Sequence, residues 1–159
     1  PDSVMHIDDI PARAAQVSFG LTSFHLDAGA SPLFPFGFGL SYTTFRYSDI
    51  AVSRSEIAHG ERIVISANVT NTGTRAGVEI AQLYVRDLVG SVTRPVRELK
   101  GFRRIRLQPG ETQTVEFELH TDDLAFTGRR MQRVTEPGAY HAWIGGSAEA
   151  DMRTEFTII

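Results

Sequence analysis

From Thr44 onward, apolar and polar residues alternate with a period of two, the spacing of strands that bury one face. Phe45 and Tyr47 open the pattern, and Ile50 and Val52 resume it in the opposite phase, which predicts a bulge near Ser48 and Asp49. The cleanest alternation is Ile63, Ile65, Ala67 and Val69, which stops at the turn-prone Asn71-Thr72-Gly73. Ala81, Leu83 and Val85 mark another strand face, with Ile80 and Tyr84 on the reverse, so this strand is expected to be covered on both sides. Phe102, Ile105 and Leu107 lead into Gln108-Pro109-Gly110-Glu111, where Pro before Gly predicts a type II turn. Val115, Phe117 and Leu119 follow, with Thr114, Glu116 and Glu118 facing water. Thr121 to Phe126 breaks the alternation with a helix-cap signature, a single turn between strands. Pro137-Gly138 turns the chain into Tyr140, Ala142 and Ile144, and a last strand holds Phe156 and Ile158. About seven short strands without a sustained helical period predict an all-β fold, an antiparallel two-sheet sandwich.

Ahead of the strands lies the stretch densest in aromatics and glycine, Pro32 to Phe45. Pro35 fixes its own φ and pushes Phe34 toward extended geometry, while Gly37 and Gly39 permit backbone forbidden to other residues. The rings need a surface to cover. They serve either as a plug over this domain's own core or as a strap that docks on a neighbouring domain. Residues 1–31 are mixed, with a short helix expected over Pro11 to Val17, and read as the tail of a preceding domain or a linker. The chain thus divides into 1–31, a strap at 32–45 and a sandwich at 46–159.

The same strap resembles the segment that leads into the C-terminal fibronectin type III-like domain of family 3 glycoside hydrolases, the β-glucosidases, β-xylosidases and their relatives. Later segments are similar to successive stretches of that domain, in order: Asn68 to Gly73, Gln82 to Asp87, Arg94 to Phe102, Leu107 to Glu111, Asp123 to Phe126, Glu136 to Gly138 and Ile144 to Ser147. The match runs from about Pro32 to Ile159; residues 1–31 depart from it. The resemblance implies an immunoglobulin-like, fibronectin type III-like topology and a non-catalytic accessory role. It also implies a parent enzyme that hydrolyses terminal β-linked sugars by a retaining mechanism without an organic cofactor. In that family the nucleophilic aspartate belongs to an N-terminal barrel and the acid/base lies outside the sandwich, so no catalytic residue is expected here. The expected partners are the catalytic domains of the same polypeptide, docked through Phe34, Phe36, Phe38, Tyr42 and Arg94 with the loop from Asp87 to Pro95. Oligosaccharide would be met only through the parent, in a periplasmic or extracellular setting.

Composition narrows the alternatives. A chain of 159 residues buries roughly 70% of its unfolded surface, enough for one core. Sixteen basic against 19 acidic side chains give a formal charge of −3, which offers no global attraction to nucleic acid or an anionic membrane. The absence of cysteine excludes disulfides and thiolate metal sites within the chain. No apolar run reaches the roughly 18 residues that span a bilayer. Pro1 in place of Met indicates a fragment.

Chemistry-bearing residues are few. Glycosidases set two carboxylates about 5–10 Å apart across the scissile bond, but Asp122 and Asp123 stand where capping is expected, and Glu116 and Glu118 on a wet strand face. His6, His25, His59, His120 and His141 show no metal-ligand spacing. Asn68-Val69-Thr70 matches a glycosylation acceptor but runs along a predicted strand. Arg94, Arg97, Lys100, Arg103, Arg104 and Arg106 form a basic cluster, readable as a solvated edge that discourages strand addition or as guanidinium forks for carboxylates on a neighbouring domain. Trp143 shares a strand face with His141, opposite Tyr140 and Ile144. It is the candidate for sugar stacking if the chain is instead a carbohydrate-binding or protein-interaction module, although burial against a neighbouring domain or against arginine side chains explains it more simply.

Overall fold

The computed structural model describes residues 32–159. The expected helix over Pro11 to Val17, His6 and His25 lie outside the described residues. Pro35–Ile159 forms one compact unit, which holds the strap turn and the sandwich.

Among the described residues ten strands follow in order: β1 (Phe45–Val52), β2 (Glu56–Ile57), β3 (Arg62–Asn71), β4 (Gly77–Asp87), β5 (Glu98–Leu107), β6 (Thr112–His120), β7 (Phe126–Thr127), β8 (Arg133–Val134), β9 (Gly138–Gly145) and β10 (Arg153–Ile158). Three of them are two-residue pieces, so the seven long strands match the sequence expectation. One sheet has the order β1-β3-β6 and the other β2-β10-β9-β4-β5, with β7-β8 a separate small hairpin. All pairings are antiparallel except the short parallel one between β2 and β10. The result is a β-sandwich with a fibronectin type III-like division of strands.

Alternation explains the core. Ile63, Ile65 and Ala67 of β3 stand opposite Leu119, Phe117 and Val115 of β6, and all six are buried. From the other sheet Ala81, Leu83, Val85, Ala142, Ile144, Phe156 and Ile158 join the same cluster. The ring of Tyr140 stacks on Phe156 at 5.4 Å while its hydroxyl donates to Glu136 O at 2.7 Å, a corner contact that lets a polar tip end a buried strand. Burial, then the charge of Asp87, pushes the Tyr140 phenol up to about 12. Asn71, fully buried, donates from Nδ2 to Arg75 O and Leu107 O and accepts at Oδ1 from Thr43 and the Gly73 amide, pinning the end of β3.

The bulge expected near Ser48 and Asp49 is present: the register of β1 on β3 shifts between Ser48 and Ala51, with Asp49 at φ 56°. Its carboxylate accepts from the Ser48 hydroxyl and the Asn68 side chain, and those two bonds hold its pKa below the usual carboxylate value. Gln108 to Glu111 forms the type II turn, with Gly110 at φ 74° and the Glu111 amide bonded to Gln108 O at 3.0 Å. Thr121–Leu124 is one 3₁₀ turn capped by His120, whose amide is taken by the Asp123 carboxylate at 3.1 Å. One strand position departs from the sequence reading. Phe102, grouped there with Ile105 and Leu107, is 66% exposed while those two are buried. Phe102 and Ile105 are three positions apart, which on a period of two places them on opposite faces.

Candidate functional site

The outer face of the five-stranded sheet carries the strap. Pro35 to Phe38 forms a tight turn closed by the Phe38 amide on Pro35 O at 3.0 Å, with Gly37 at φ 80° in the position that requires it. The turn is fastened to β4 through Gln82, an amide buried within the apolar run from Ile80 to Val85. Gln82 Nε2 donates to Gly37 O at 3.0 Å and to Gly146 O at 2.7 Å, while Oε1 accepts from the Tyr84 hydroxyl at 2.5 Å. That hydroxyl also lies 3.3 Å from Phe36 O, and the Ala148 amide donates to the same carbonyl at 2.8 Å. A Cβ on Gly37 would stand 2.1 Å from Gln82 Oε1 and 2.5 Å from the Tyr84 oxygen, so a second demand for glycine coincides with the first. Burial pushes the Tyr84 phenol up, opposed by the charge of Arg97.

The turn is held by its backbone, and its rings are left outward. Phe36 sets its edge against Tyr84 with centroids 6.5 Å apart, yet is 67% exposed; Phe38 is 46% exposed, and Leu40 and Tyr42 protrude almost fully. Phe34, outside this unit, is also exposed. Sealing of this domain's own core, the plug reading, is therefore not how Phe36, Phe38, Leu40 and Tyr42 are used. Beside the turn an open groove of about 470 Å³ runs between Gly37–Ser41 and Val78–Gln82.

Farther along the same face, Trp143 is 6% exposed. The Arg97 guanidinium lies 4.2 Å from its ring centroid, and Arg97 Nη1 donates to Ala148 O and Ala150 O. Burial lowers the Arg97 pKa, with the charge of Asp151 opposing. The platform open to a pyranose that the sequence allowed for Trp143 is absent, because Arg97 takes the ring face and His141 meets its edge at 5.5 Å. Arg94 also works inward. Its side chain is 13% exposed, pairs with Glu98 at 2.6 Å and stacks 4.1 Å above Phe126. The docking fork expected of Arg94 is thus engaged in holding its own loop.

Other candidates resolve locally. Asn68 spends its amide on Asp49 and Thr114. Among the described residues no cluster of His, Asp and Glu could hold a metal ion, and no helix is long and apolar enough to cross a membrane. Across the sandwich, the Tyr47 hydroxyl donates to Glu79 Oε1 at 2.6 Å. Burial pushes both groups up: Glu79 against the hydrogen bond from Tyr47, and Tyr47 with added help from the hydrogen bond and charge of Glu79. Sequence reasoning named the strap rings but missed their fastening. The available signal was Gln82 itself, a polar residue inside the apolar run from Ile80 to Val85, which must find partners when buried.

Comparison with known proteins gives concordant matches. The profile of the fibronectin type III-like domain family matches residues 79–148. A putative β-xylosidase of Formosa agariphila is 40% identical over 152 residues, 96% of this chain and 20% of that protein. A periplasmic β-glucosidase of Salmonella typhimurium is 43% identical over 138 residues, 87% of this chain and 18% of that protein. Among solved structures, a β-glucosidase of Erythrobacter marinus superposes with a TM-score of 0.81 at 36% identity, covering 88% of this chain and 18% of that one. A Listeria innocua β-glucosidase in complex with glucose gives 0.76 at 35% identity, covering 86% and 19%. The chain therefore spans a fifth or less of the length of these relatives.

Proposed function

We propose that this chain, which matches the fibronectin type III-like domain family and parts of β-xylosidases and β-glucosidases, is the non-catalytic C-terminal accessory domain of a family 3 glycoside hydrolase. It packs against the catalytic domains of the same polypeptide and fixes their relative orientation. Oligosaccharide is met only by the parent, which removes terminal β-linked sugars; the domain itself contributes no reacting group.

The observation that carries this reading is the backbone-fastened turn that leaves Phe36 and Phe38 outward. Large rings held in water are a standing cost, and burying one in an interface recovers about 2 kcal/mol. The fastening matters as much as the rings. Because Gln82 and Ala148 already hold the turn, docking needs little further ordering of the strap, and more of the burial free energy appears as affinity.

The test is the size of the native polypeptide, read by blotting source lysate with an antibody against this chain and assaying the fractions with an aryl-β-glucoside. A band several times heavier than 17.6 kDa, co-fractionating with activity, is the expected result. A band at the chain's own mass sinks the reading.

A further inference from the structure

The outer face continues past the strap onto β5, the edge strand of the five-stranded sheet. In register, Phe102 stands beside Gln82, Leu99 beside Tyr84, Arg104 beside Ile80 and Arg106 beside Val78. Phe102 and Leu99 therefore flank the same Gln82–Tyr84 pair on which the strap turn rests. Phe102, Leu99 and Ile80 are exposed, and so are Arg104 and Arg106. Their inward neighbours have a different fate: Ile105 and Leu107 are buried, and Gly101 lies over the ring of Phe117.

A phenylalanine 66% exposed on an edge strand adds little to this domain's core and exposes its ring to water. The two arginines add charge. Elsewhere Arg54, Arg62 and Arg94 pair with Glu61, Glu118 and Glu98. Among the described residues, neither Arg104 nor Arg106 hydrogen-bonds or meets a carboxylate. An apolar centre flanked by uncommitted guanidinium forks is the composition of a protein interface whose partner is acidic. A second copy of this chain fits poorly, because a two-fold contact would bring both arginine pairs into one interface.

We propose that the Phe102–Arg104–Arg106 face of β5 is a second docking element, continuous with the strap, and that it receives an apolar patch bordered by Asp or Glu side chains on the catalytic part of the same polypeptide. This rests on the accessory-domain reading above. The strap supplies the apolar anchor and the β5 face supplies register and charge recognition.

The experiment uses the intact native polypeptide, carrying either the double charge reversal Arg104→Glu and Arg106→Glu, or Phe102→Ser. Limited proteolysis reports how often the domain undocks, at two salt concentrations, and the melting of the 159-residue chain alone serves as folding control. The expected result is release roughly 10-fold faster for each variant, as loss of a well-packed anchor or of paired charges produces. The salt dependence of release should be flattened only in the charge reversal, and the isolated chain should melt as the wild type does. Release at the wild-type rate overturns the proposal while leaving the accessory reading intact. A concentration-dependent dimer of the isolated chain that the charge reversal abolishes assigns the face to self-association and also overturns it. A native polypeptide of the chain's own size removes both readings together.

Discussion

Along β4, Ala81, Leu83 and Val85 turn inward and join one buried cluster with Ile65 and Phe117, while Gln82 and Tyr84 turn outward and hold a turn of backbone through two hydrogen bonds, to Gly37 O and Phe36 O. From Ala81 to Val85 the inner side is apolar and shape-filled. The outer side is polar at its anchor and apolar only beyond it, at Phe36 and Phe38. A core needs nothing but exclusion of water, so any residues of the right size and period serve it. A docking strap must hold its backbone in place before a partner arrives, and directional bonds from a buried amide do that where nonspecific burial would not.

The contrast can be broken by substitution. On the inner side Leu83→Ala should cost about 3 kcal/mol and shift the whole urea transition, since a fully buried leucine leaves a cavity between two sheets. On the outer side Gln82→Leu strands Gly37 O and Gly146 O and should cost about 1–2 kcal/mol. If Gln82→Leu proved as costly as Leu83→Ala, the outer node would have to be counted as core.

Gly37→Ala sharpens the point with a smaller effect. Its φ of 80° and the 2.1 Å approach to Gln82 Oε1 make the turn lift away, at a cost of about 1 kcal/mol confined to the strap. Amide exchange at Phe38 and Ala148, which the turn protects, should accelerate while exchange in β3 stays unchanged. Uniform acceleration would mean that strap and sandwich unfold as one unit.

The smallest effect depends on pH. Glu79 lies on the inward face of β4, and burial raises its carboxyl pKa above the usual 4.5. The folded state therefore holds the proton more tightly than the unfolded chain does. The stability Glu79 contributes is fully present below pH 4.5 and is lost as pH rises through the higher folded value. Glu79→Gln keeps an acceptor for Tyr47 without that titration, so the variant should gain on the wild type as urea midpoints are followed from pH 4 to pH 8, by about 1 kcal/mol or less. Parallel curves would show that the Tyr47–Glu79 contact titrates alike in both states.

Much of the strand plan was legible because a period of two is a local property: β3 and β6 could be drawn residue by residue from Ile63 to Val69 and from Val115 to Leu119. The β1 bulge and the Gln108–Glu111 turn were equally readable, one from a phase change and the other from Pro before Gly. Phe102 obeys the same period from the other side, since an odd spacing from Ile105 turns it outward. Trp143 and Arg94 were legible as residues but not in their use, since stacking under Arg97 and over Phe126 joins positions far apart in the chain.

The sequence by itself determined which faces of each strand are apolar, where the turns fall, and that an aromatic strap precedes the sandwich. Only the tertiary structure decided that the strap lies on the outer face of β4 and that its backbone, rather than its rings, makes the attachment. The physical reason is range. Alternation and turn chemistry are written between neighbours, whereas a buried amide such as Gln82 chooses among distant carbonyls only after the sheets have brought Gly37 and Gly146 within its reach.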